Sequence, residues 1–452
     1  MNEKKLKIFF SGIGGSGLSA IAGFMAERGH TVAGSDRAFD NDLEHPLKKK
    51  LQASGISIMP QDGSGLDSTF DLAVFSTAVE SDKPEALKAK ELGIKTMTRP
   101  DYLAEITEAF DTIAVSGTSG KSTTSGMLAF LMERLGLEPN FIGGGRVVRF
   151  RSDKNPGNWR AGDSDRLVIE ACESDGTIVN YRPQYSIILN LALDHHPVDE
   201  TAEMFGTFIR NSHEKVILNA DDEKLMELSG KGAVTFSINA RSEYRPDKVE
   251  YGAFSTDFTL HGVEFTLSLP GRYNLYNALS CIAFLSYTGT PLDAIAEVLP
   301  EFDGIDRRFD IYLNDGKHLV IDDYAHNPHK IEALMETVKR LSGNVCYIFQ
   351  PHGFGPTRLM KDEYINVFAE NLRISDRLIL LPIYYVGGTA AKDISSNDLA
   401  DGINARNRSA FVIEDRKETM GMLDEYRTFV VFGARDESLA DLAREIAERL
   451  TR

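Results

Sequence analysis

A glycine-rich loop between a strand pattern and a helix pattern limits the folds that this chain can adopt. Residues 112–115 (TIAV) are typical of a buried strand, and residues 121–135 are typical of a helix. The loop between them reads GTSGKST over Gly117–Thr123. It is shorter than the G-x-x-x-x-G-K-S/T form, because Val115 stands where the first glycine would be. Consecutive backbone N–H groups at such a turn wrap phosphate oxygens, so the sequence predicts a phosphate-binding loop at a helix N-terminus.

Two side chains of this loop indicate its ligand. A lysine at position 121 can bridge the outer phosphates of a nucleotide, and the hydroxyl of Ser122 can bind a magnesium ion. We therefore expect ATP and Mg²⁺ as cofactors of an enzyme. The residues expected to hold ATP here are Gly117, Thr118, Ser119, Gly120, Lys121, Ser122 and Thr123.

The chain alternates strand and helix patterns along most of its 452 residues, which is typical of an α/β protein with parallel sheets. Its length favours two to three domains. We predict three: a Rossmann-like domain over 1–108, a central P-loop domain over 109–306 and a C-terminal Rossmann-like α/β domain over 307–452. The polar, turn-rich segment 146–165 is predicted to be an exposed excursion of the central domain.

The net charge of the chain argues against two classes of partner, and its cysteines and apolar segments indicate where it acts. A formal net charge of -17 argues against nucleic acid or an anionic membrane surface as the main partner. Three scattered cysteines show no metal-binding or redox spacing, and no segment has the pattern of a signal peptide or a membrane span. We expect a cytoplasmic enzyme that is a monomer or a weak homodimer.

A second glycine-rich turn follows the first strand pattern of the chain. It reads GIGGSG over positions 12–17, and Asp36 follows the next strand. Such a turn brings backbone N–H groups to a diphosphate, and an acidic residue at that distance can bind a ribose hydroxyl. The turn alone is compatible with NAD, FAD, a nucleotide sugar or simple helix packing. Its candidate binding residues are Gly12, Gly14, Gly15, Ser16, Gly17 and Asp36.

Candidate metal ligands follow the next two strand patterns of the central domain. One strand ends in EACESD over Glu170–Asp175, and the next ends in NLALDHH over 190–196. The carboxyl ends of parallel strands meet at one edge of a sheet, where the phosphates also lie. We therefore predict that Ser122, Glu173 and His195 bind the magnesium ion.

Two later groups of polar residues have open interpretations. Asn274 and Asn277 stand three residues apart and could contact an adenine edge, although Asn274 could instead be a helix N-cap. Arg307 and Arg308 suit neutralisation of phosphate charge, and a surface ion pair is the alternative explanation.

These motifs, in this order, resemble those of the Mur ligase family, the cytoplasmic enzymes that build the peptide stem of bacterial peptidoglycan precursors. The resemblance covers nearly the whole chain. It rests on GIGGSGLSA (12–20), GSD (34–36), FSTAV (75–79), RRF (307–309), DDY (322–324) with His326 and Pro328, and FQPH (349–352).

The resemblance implies an ATP-dependent carboxylate–amine ligase. The first domain would bind the UDP part of UDP-N-acetylmuramate, with Ser76 and Thr77 added to its binding residues. The middle domain would bind ATP together with Asp322, and Lys121, Glu173, His195, Arg307, Arg308 and His326 would be catalytic. The implied product is an amide formed through an acyl phosphate.

The amine acceptor stays open at this point. The motifs are most similar to the branch of the family that adds L-alanine, and a neighbouring branch recycles the tripeptide L-Ala-γ-D-Glu-meso-diaminopimelate. Two remote alternatives are a NAD-dependent oxidoreductase, which depends on the first glycine-rich turn alone, and a P-loop nucleotide switch, which would bind nucleotide without consuming an amine.

Overall fold

The computed structural model describes residues 4–77, 79–80, 82–194, 196–230, 232–385, 391–406 and 408–451. The chain divides into two compact units. The first comprises residues 1–250, 256–269 and 274–305, and the second comprises 251–255, 270–273 and 306–452. Within the described residues, no helix is both long and apolar enough to span a bilayer.

The N-terminal part of the first unit is a five-stranded, fully parallel sheet with the order β3-β2-β1-β4-β5. Its strands are β1 (Lys7–Ser11), β2 (Thr31–Ser35), β3 (Ser57–Met59), β4 (Leu72–Phe75) and β5 (Lys95–Thr98). Its helices are α1 (Ser16–Glu27), α2 (Arg37–Asn41), α3 (Pro46–Ala53), α4 (Pro84–Leu92) and α5 (Arg99–Thr107). Because every strand is parallel, the carboxyl ends of β1 and β2 meet at one edge, where the first glycine-rich turn lies.

The central part is a seven-stranded sheet with the order β12-β11-β10-β6-β9-β7-β8, parallel except for β8. Its strands are β6 (Asp111–Ser116), β7 (Asn140–Ile142), β8 (Trp159–Arg160), β9 (Arg166–Glu170), β10 (Tyr185–Ile188), β11 (Lys215–Asn219) and β12 (Val234–Phe236). Its helices are α6 (Lys121–Arg134), α7 (Val198–Arg210) and α8 (Glu223–Leu228). Strand β6 lies between β9 and β10, so all three carboxyl ends flank the loop that leads into α6.

A small three-stranded sheet, which was not predicted from the sequence, follows the central sheet. Its strands are β13 (Lys248–Tyr251), β14 (Thr256–Leu260) and β15 (Val263–Leu267), and helices α9 (Arg272–Tyr287) and α10 (Leu292–Val298) come next. Buried and exposed residues alternate along β14, which is typical of a sheet with one covered face.

The second unit contains a six-stranded sheet with the order β16-β17-β21-β18-β19-β20, in which only β16 is antiparallel to its neighbour. Its strands are β16 (Asp310–Asn314), β17 (Leu319–Asp323), β18 (Val345–Phe349), β19 (Arg377–Leu380), β20 (Ala410–Val412) and β21 (Thr428–Phe432). Its helices are α11 (Pro328–Leu341), α12 (Phe354–Leu359), α13 (Lys361–Asn371), α14 (Ser396–Asn404) and α15 (Ser438–Leu450). The α/β fold class with three parallel-sheet regions is therefore confirmed, whereas the predicted boundaries at 108 and 306 remain predictions.

The expectation that 146–165 is an exposed excursion is wrong for its middle. Residues 151–154 are exposed, but residues 156–159 are buried, and Trp159 is 2% exposed. The indole lies on α1 at Gly23, where an added Cβ would come within 2.4 Å of the ring. Its Nε1 donates to the carboxylate of Glu27 at 2.9 Å. The polar composition of the segment concealed a large aromatic contact that joins the N-terminal and central sheets.

Candidate functional site

The loop predicted to bind phosphate, Gly117–Thr123, has the backbone conformation that its glycines permit. Gly117 and Gly120 have φ angles of 136° and 90°, in the region that residues with a Cβ rarely adopt. A Cβ on Gly120 would also lie 2.5 Å from the Oδ1 atom of Asn277. Helix α6 begins at Lys121, and its N-cap residue, Gly120, has no side chain that could accept from the first backbone N–H groups. Its first backbone N–H groups are therefore not taken by a side-chain cap.

An asparagine on the neighbouring strand end holds the loop in place. The Oδ1 atom of Asn190 accepts hydrogen bonds from the Thr118 hydroxyl and the Ser119 amide, each at 2.8 Å. Its Nδ2 donates to the Ser119 carbonyl at 3.0 Å. Asn190 follows β10, which pairs directly with β6. Asn190 was expected at this edge from the sequence, but no role was predicted for it.

Lys121 forms a buried ion pair at the carboxyl end of β9. Its Nζ donates to the Glu173 carboxylate at 2.8 Å and to the Gly117 carbonyl at 2.6 Å. The two side chains are 11% and 1% exposed. Burial alone would lower the pKa of Lys121, but the negative groups beside it, Glu173 among them, outweigh burial and raise that pKa above its ordinary value. The lysine is therefore a fixed positive charge at the start of α6.

The magnesium ligands predicted from the sequence lie only partly within the described residues. Ser122 belongs to the loop and Glu173 lies beside it, whereas His195 lies outside the residues that the structure describes. The Oε1 atom of Glu173 is buried and has no hydrogen-bond partner among the described residues. An unpartnered carboxylate oxygen beside a phosphate-binding loop suits a Mg²⁺ ion, which prefers oxygen ligands.

The described residues contain no cluster of three or more His, Cys, Asp or Glu side chains able to hold a metal. That is compatible with magnesium, which in nucleotide sites is bound by one or two protein oxygens, phosphates and water. The hydroxyl of Ser122 donates to Glu170 at 2.9 Å. Glu170 belongs to the acidic strand end noted in the sequence, but it was not among the predicted site residues.

The two asparagines predicted to contact adenine are brought to the loop. Both are buried in α9, and the Nδ2 of Asn277 donates to the Oδ1 of Asn274 at 3.3 Å. Asn277 lies against Gly120, as noted above. Asn274 is the third residue of the helix, so the alternative that it serves as the N-cap is wrong. Thr123, in the first turn of α6, is also buried.

The first glycine-rich turn lies at the carboxyl ends of β1 and β2, and the side chain of Asp36 is hydrogen-bonded to it. One oxygen of Asp36 accepts from the Gly14 amide at 2.8 Å, and the other accepts from the Ala38 amide at 2.9 Å as the N-cap of α2. Asp36 therefore fixes the turn, and a contact with a ribose remains a prediction. Ser76 lies against Gly12, and Thr77 is exposed beside it. Gly15 precedes α1, and Ser16 and Gly17 begin it.

Two contacts that the sequence analysis missed connect this turn with the central sheet. The Nδ2 of Asn158 donates to the Ser16 carbonyl at 2.8 Å. The guanidinium of Arg99 forms an ion pair with Asp175 at 2.7 Å, and its side chain lies against Gly17. Asp175 is two residues beyond Glu173. A short polar path therefore leads from the first glycine-rich turn to the Lys121–Glu173 pair.

Arg307, in the second unit, is engaged by its own surroundings. Its side chain is 5% exposed, and its guanidinium pairs with Asp322 through Nε at 2.9 Å. Further N–H groups donate to the carbonyls of Asp436 and Gly433. The ion-pair alternative considered from the sequence describes this geometry, except that the pair is buried. Both predicted site residues, Arg307 and Asp322, are thus in one structural cluster.

Arg308 and His326 lie around the ring of Tyr324. The guanidinium of Arg308 stacks over the tyrosine ring at 4.7 Å, and the imidazole of His326 packs edge-on against it. The Nδ1 of His326 lies 2.9 Å from the Tyr324 carbonyl, and its ring also contacts His352. Burial, reinforced by the positive charge of Lys330, lowers the pKa of His326 well below its ordinary value. The imidazole is therefore neutral at pH 7.

Comparison with known proteins gives matches to three family models along the chain. Models of the Mur ligase family match in order: the family's catalytic domain over 7–111, its middle domain over 115–285 and its glutamate ligase domain over 307–435. These stretches contain the first glycine-rich turn, the phosphate-binding loop, and the Arg307–Asp322 pair, respectively.

Individual relatives match along almost their full length. The UDP-N-acetylmuramate–L-alanine ligase of Clostridium novyi is 32% identical over 434 residues, which cover 91% of each chain. The crystal structure of the UDP-N-acetylmuramate–alanine ligase MurC from Thermotoga maritima superposes with a TM-score of 0.81 at 27% identity, covering 99% of each chain. A murein peptide ligase from Psychrobacter arcticus, at 22% identity and a TM-score of 0.68, has the same fold. Together with the ordered family-model matches, these similarities establish that the chain belongs to the Mur ligase family.

Proposed function

We propose that this protein uses ATP to join L-alanine to the carboxylate of UDP-N-acetylmuramate during assembly of peptidoglycan precursors. ATP use is common to the family, and the relatives that match the full chain carry out this ligation according to their names. The observation that carries the proposal is the largely buried Lys121 ammonium at the phosphate-binding loop, in contact with Glu173. A fixed cation at the start of a helix suits the outer phosphates of a nucleotide triphosphate.

The reaction requires activation of a carboxylate, because oxide is too poor a leaving group for direct attack by an amine. One carboxylate oxygen attacks the γ-phosphorus of ATP, the bond to the β-phosphate oxygen breaks, and ADP leaves. The amine then attacks the carbonyl carbon of the acyl phosphate. Phosphate departs with the original carboxylate oxygen, and the amine loses a proton as the amide forms.

In this proposal, the protein stabilises negative charge that develops during phosphoryl transfer. The amides of the Gly117–Gly120 turn would bind phosphate oxygens, and Lys121 would neutralise charge on the transferred group. Glu173, Ser122 and His195 would hold magnesium, which supplies further positive charge at the phosphates when bound. Asn274 and Asn277, which pack against the loop, would contribute to the nucleotide pocket.

The UDP part of the donor would bind at the first glycine-rich turn. Gly12, Gly14 and their neighbours offer backbone amides at the carboxyl ends of parallel strands, a position where nucleotide diphosphates bind in α/β proteins. The Arg99–Asp175 pair links this turn to the segment that holds Glu173. A sugar nucleotide bound at the turn would thus extend toward Lys121 within one compact unit.

The experiment that tests this function is phosphate release from ATP and Mg²⁺ with UDP-N-acetylmuramate, screened against L-Ala, L-Ser, Gly and the L-Ala-γ-D-Glu-meso-diaminopimelate tripeptide. We expect release to depend on both substrates and kcat/KM to be highest for L-alanine. A preference for the tripeptide would establish the recycling reaction instead. Nucleotide hydrolysis at a rate that does not depend on the amine would indicate a nucleotide switch. Lys121→Met serves as the inactive control.

A further inference from the structure

We propose that Glu170 is a positioning residue that orients the Ser122 hydroxyl for magnesium binding. The proposal rests on the function above, in which Ser122 is a magnesium ligand. Glu170 ends β9, the strand that pairs with β6, and its register partner is Val115, just before the loop. It lies three residues before Glu173, which contacts Lys121 instead. The two acids of one strand end therefore serve different partners.

The carboxylate of Glu170 is held between two donors. Its Oε1 accepts from the Ser122 hydroxyl at 2.9 Å, and its Oε2 accepts from the Gly144 amide at 2.9 Å. A carboxylate only accepts hydrogen bonds, so the proton of the Ser122 hydroxyl must point toward Glu170. The lone pairs of that hydroxyl oxygen are then directed elsewhere, as a metal ligand requires. Partners of this kind, which orient a ligand without touching the metal, commonly control metal affinity.

The glycines that follow β7 fit closely around this contact. A Cβ on Gly144 would lie 2.9 Å from the Oε2 of Glu170. A Cβ on Gly145 would lie 3.0 Å from the Cβ of Ser122. Three elements, β9, the turn after β7 and the start of α6, thus meet at one hydrogen-bonded carboxylate. This arrangement fixes the hydroxyl more tightly than a solvent-exposed serine would be.

Glu170→Gln is the informative change because it keeps the shape and reverses one hydrogen bond. The Gly144 amide is a donor, so the glutamine oxygen is expected to face it, since the opposite orientation would place two N–H donors face to face. The glutamine NH₂ group then donates to Ser122 and occupies a lone pair that magnesium would use. Gly144→Ala reaches the same contact from the other side, by displacing the carboxylate.

The test measures how much magnesium strengthens binding of a non-hydrolysable ATP analogue. Calorimetry is carried out with Mg²⁺ and with EDTA for the wild type, Glu170→Gln, Gly144→Ala, Ser122→Ala and the Glu170→Gln/Ser122→Ala double variant. We expect Glu170→Gln and Gly144→Ala to reduce the magnesium-dependent gain in affinity about 10-fold, the lower end for residues that orient metal ligands. Affinity in EDTA should stay within about twofold of wild type. Glu108→Gln, a surface change near the opposite end of β6, is the matched control.

The double variant decides whether Glu170 acts through Ser122. We expect it to match Ser122→Ala alone, because the hydroxyl that Glu170 orients is absent. If Glu170→Gln weakens magnesium-dependent binding equally in both backgrounds, or not at all, the positioning role is wrong. If Ser122→Ala itself leaves the magnesium dependence unchanged, the assignment of Ser122 as a magnesium ligand fails, and the positioning role fails with it.

Discussion

Removal of the Lys121 ammonium should destabilise the first compact unit as well as stop catalysis. Glu173 is 1% exposed, its Oε2 is bound by Lys121, and its Oε1 has no partner among the described residues. Lys121→Met would therefore leave a buried carboxylate with neither oxygen compensated. Breaking a buried ion pair by removing one partner costs about 3–5 kcal/mol. We expect a loss in this range for the nucleotide-free protein at pH 7.5.

The second half of this test is Lys121→Met/Glu173→Gln. Replacing the carboxylate by an amide removes the uncompensated charge, so we expect the double variant to recover more than half of the lost stability. Turnover should nevertheless stay at least about 100-fold below wild type in both variants, because the cation that we propose to neutralise the phosphates is absent. Stability and catalysis are thereby separated at one site.

Urea unfolding followed by tryptophan fluorescence measures this effect directly. The chain has a single tryptophan, Trp159, which is buried in the same compact unit as Lys121. If Lys121→Met lowered the free energy of unfolding by less than about 1 kcal/mol, the reasoning would be refuted, since a buried, unpaired carboxylate destabilises the fold by more than that. A double variant as unstable as the single one would refute it as well.

Three further outcomes are expected. Gly120→Ala should weaken binding of an ATP analogue, measured by calorimetry, and should lower the free energy of unfolding by about 1–3 kcal/mol. The reason is that Gly120 has a φ of 90° and that the new Cβ would meet Asn277. Wild-type affinity would contradict this. Gly23→Ala should lower the free energy of unfolding, measured in urea, by about 1–3 kcal/mol, because its Cβ would overlap the indole of Trp159. Unchanged stability would contradict that packing. His326 is held neutral in the fold, so the unfolded chain binds more protons below pH 6.5, and stability falls as pH is lowered. At pH 5.5 protonation of this histidine in the unfolded chain should lower the free energy of unfolding, measured in urea, by about 1.4 kcal/mol. The stability of His326→Gln should fall correspondingly less as the pH is lowered. An identical pH dependence of stability in the wild type and the variant would exclude His326 as the cause.

The parts of the site that follow local rules could be predicted from the sequence. A strand, a glycine-rich loop and a helix are adjacent in the chain, so the positions of β6, Gly117–Gly120 and α6 follow from spacing and glycine geometry alone. The rule that parallel strands end at one sheet edge also placed Glu173 near Lys121. These predictions need only the order of the elements.

The features of the site that could not be predicted from the sequence depend on which side chains meet across the sheet. Asn190 holds the loop from a position 72 residues away from Thr118, and an asparagine at a strand end has many possible roles. The sequence also could not tell which carboxylate of the β9 end faces Ser122, because that depends on how the chain turns after the strand. Trp159 was missed because its segment is polar, and its partner Gly23 offers space rather than a recognisable side chain.

Transfer of oxygen from the donor carboxylate to phosphate would show whether an acyl phosphate forms. UDP-N-acetylmuramate labelled with ¹⁸O in its carboxylate would be incubated with ATP, Mg²⁺ and L-alanine, and the released phosphate analysed by mass spectrometry. In the proposed reaction the attacking carboxylate oxygen remains on phosphorus when the amine displaces it, so each product phosphate should carry one oxygen derived from the carboxylate. Amide formation with phosphate that contains no oxygen from the carboxylate would contradict the acyl-phosphate mechanism.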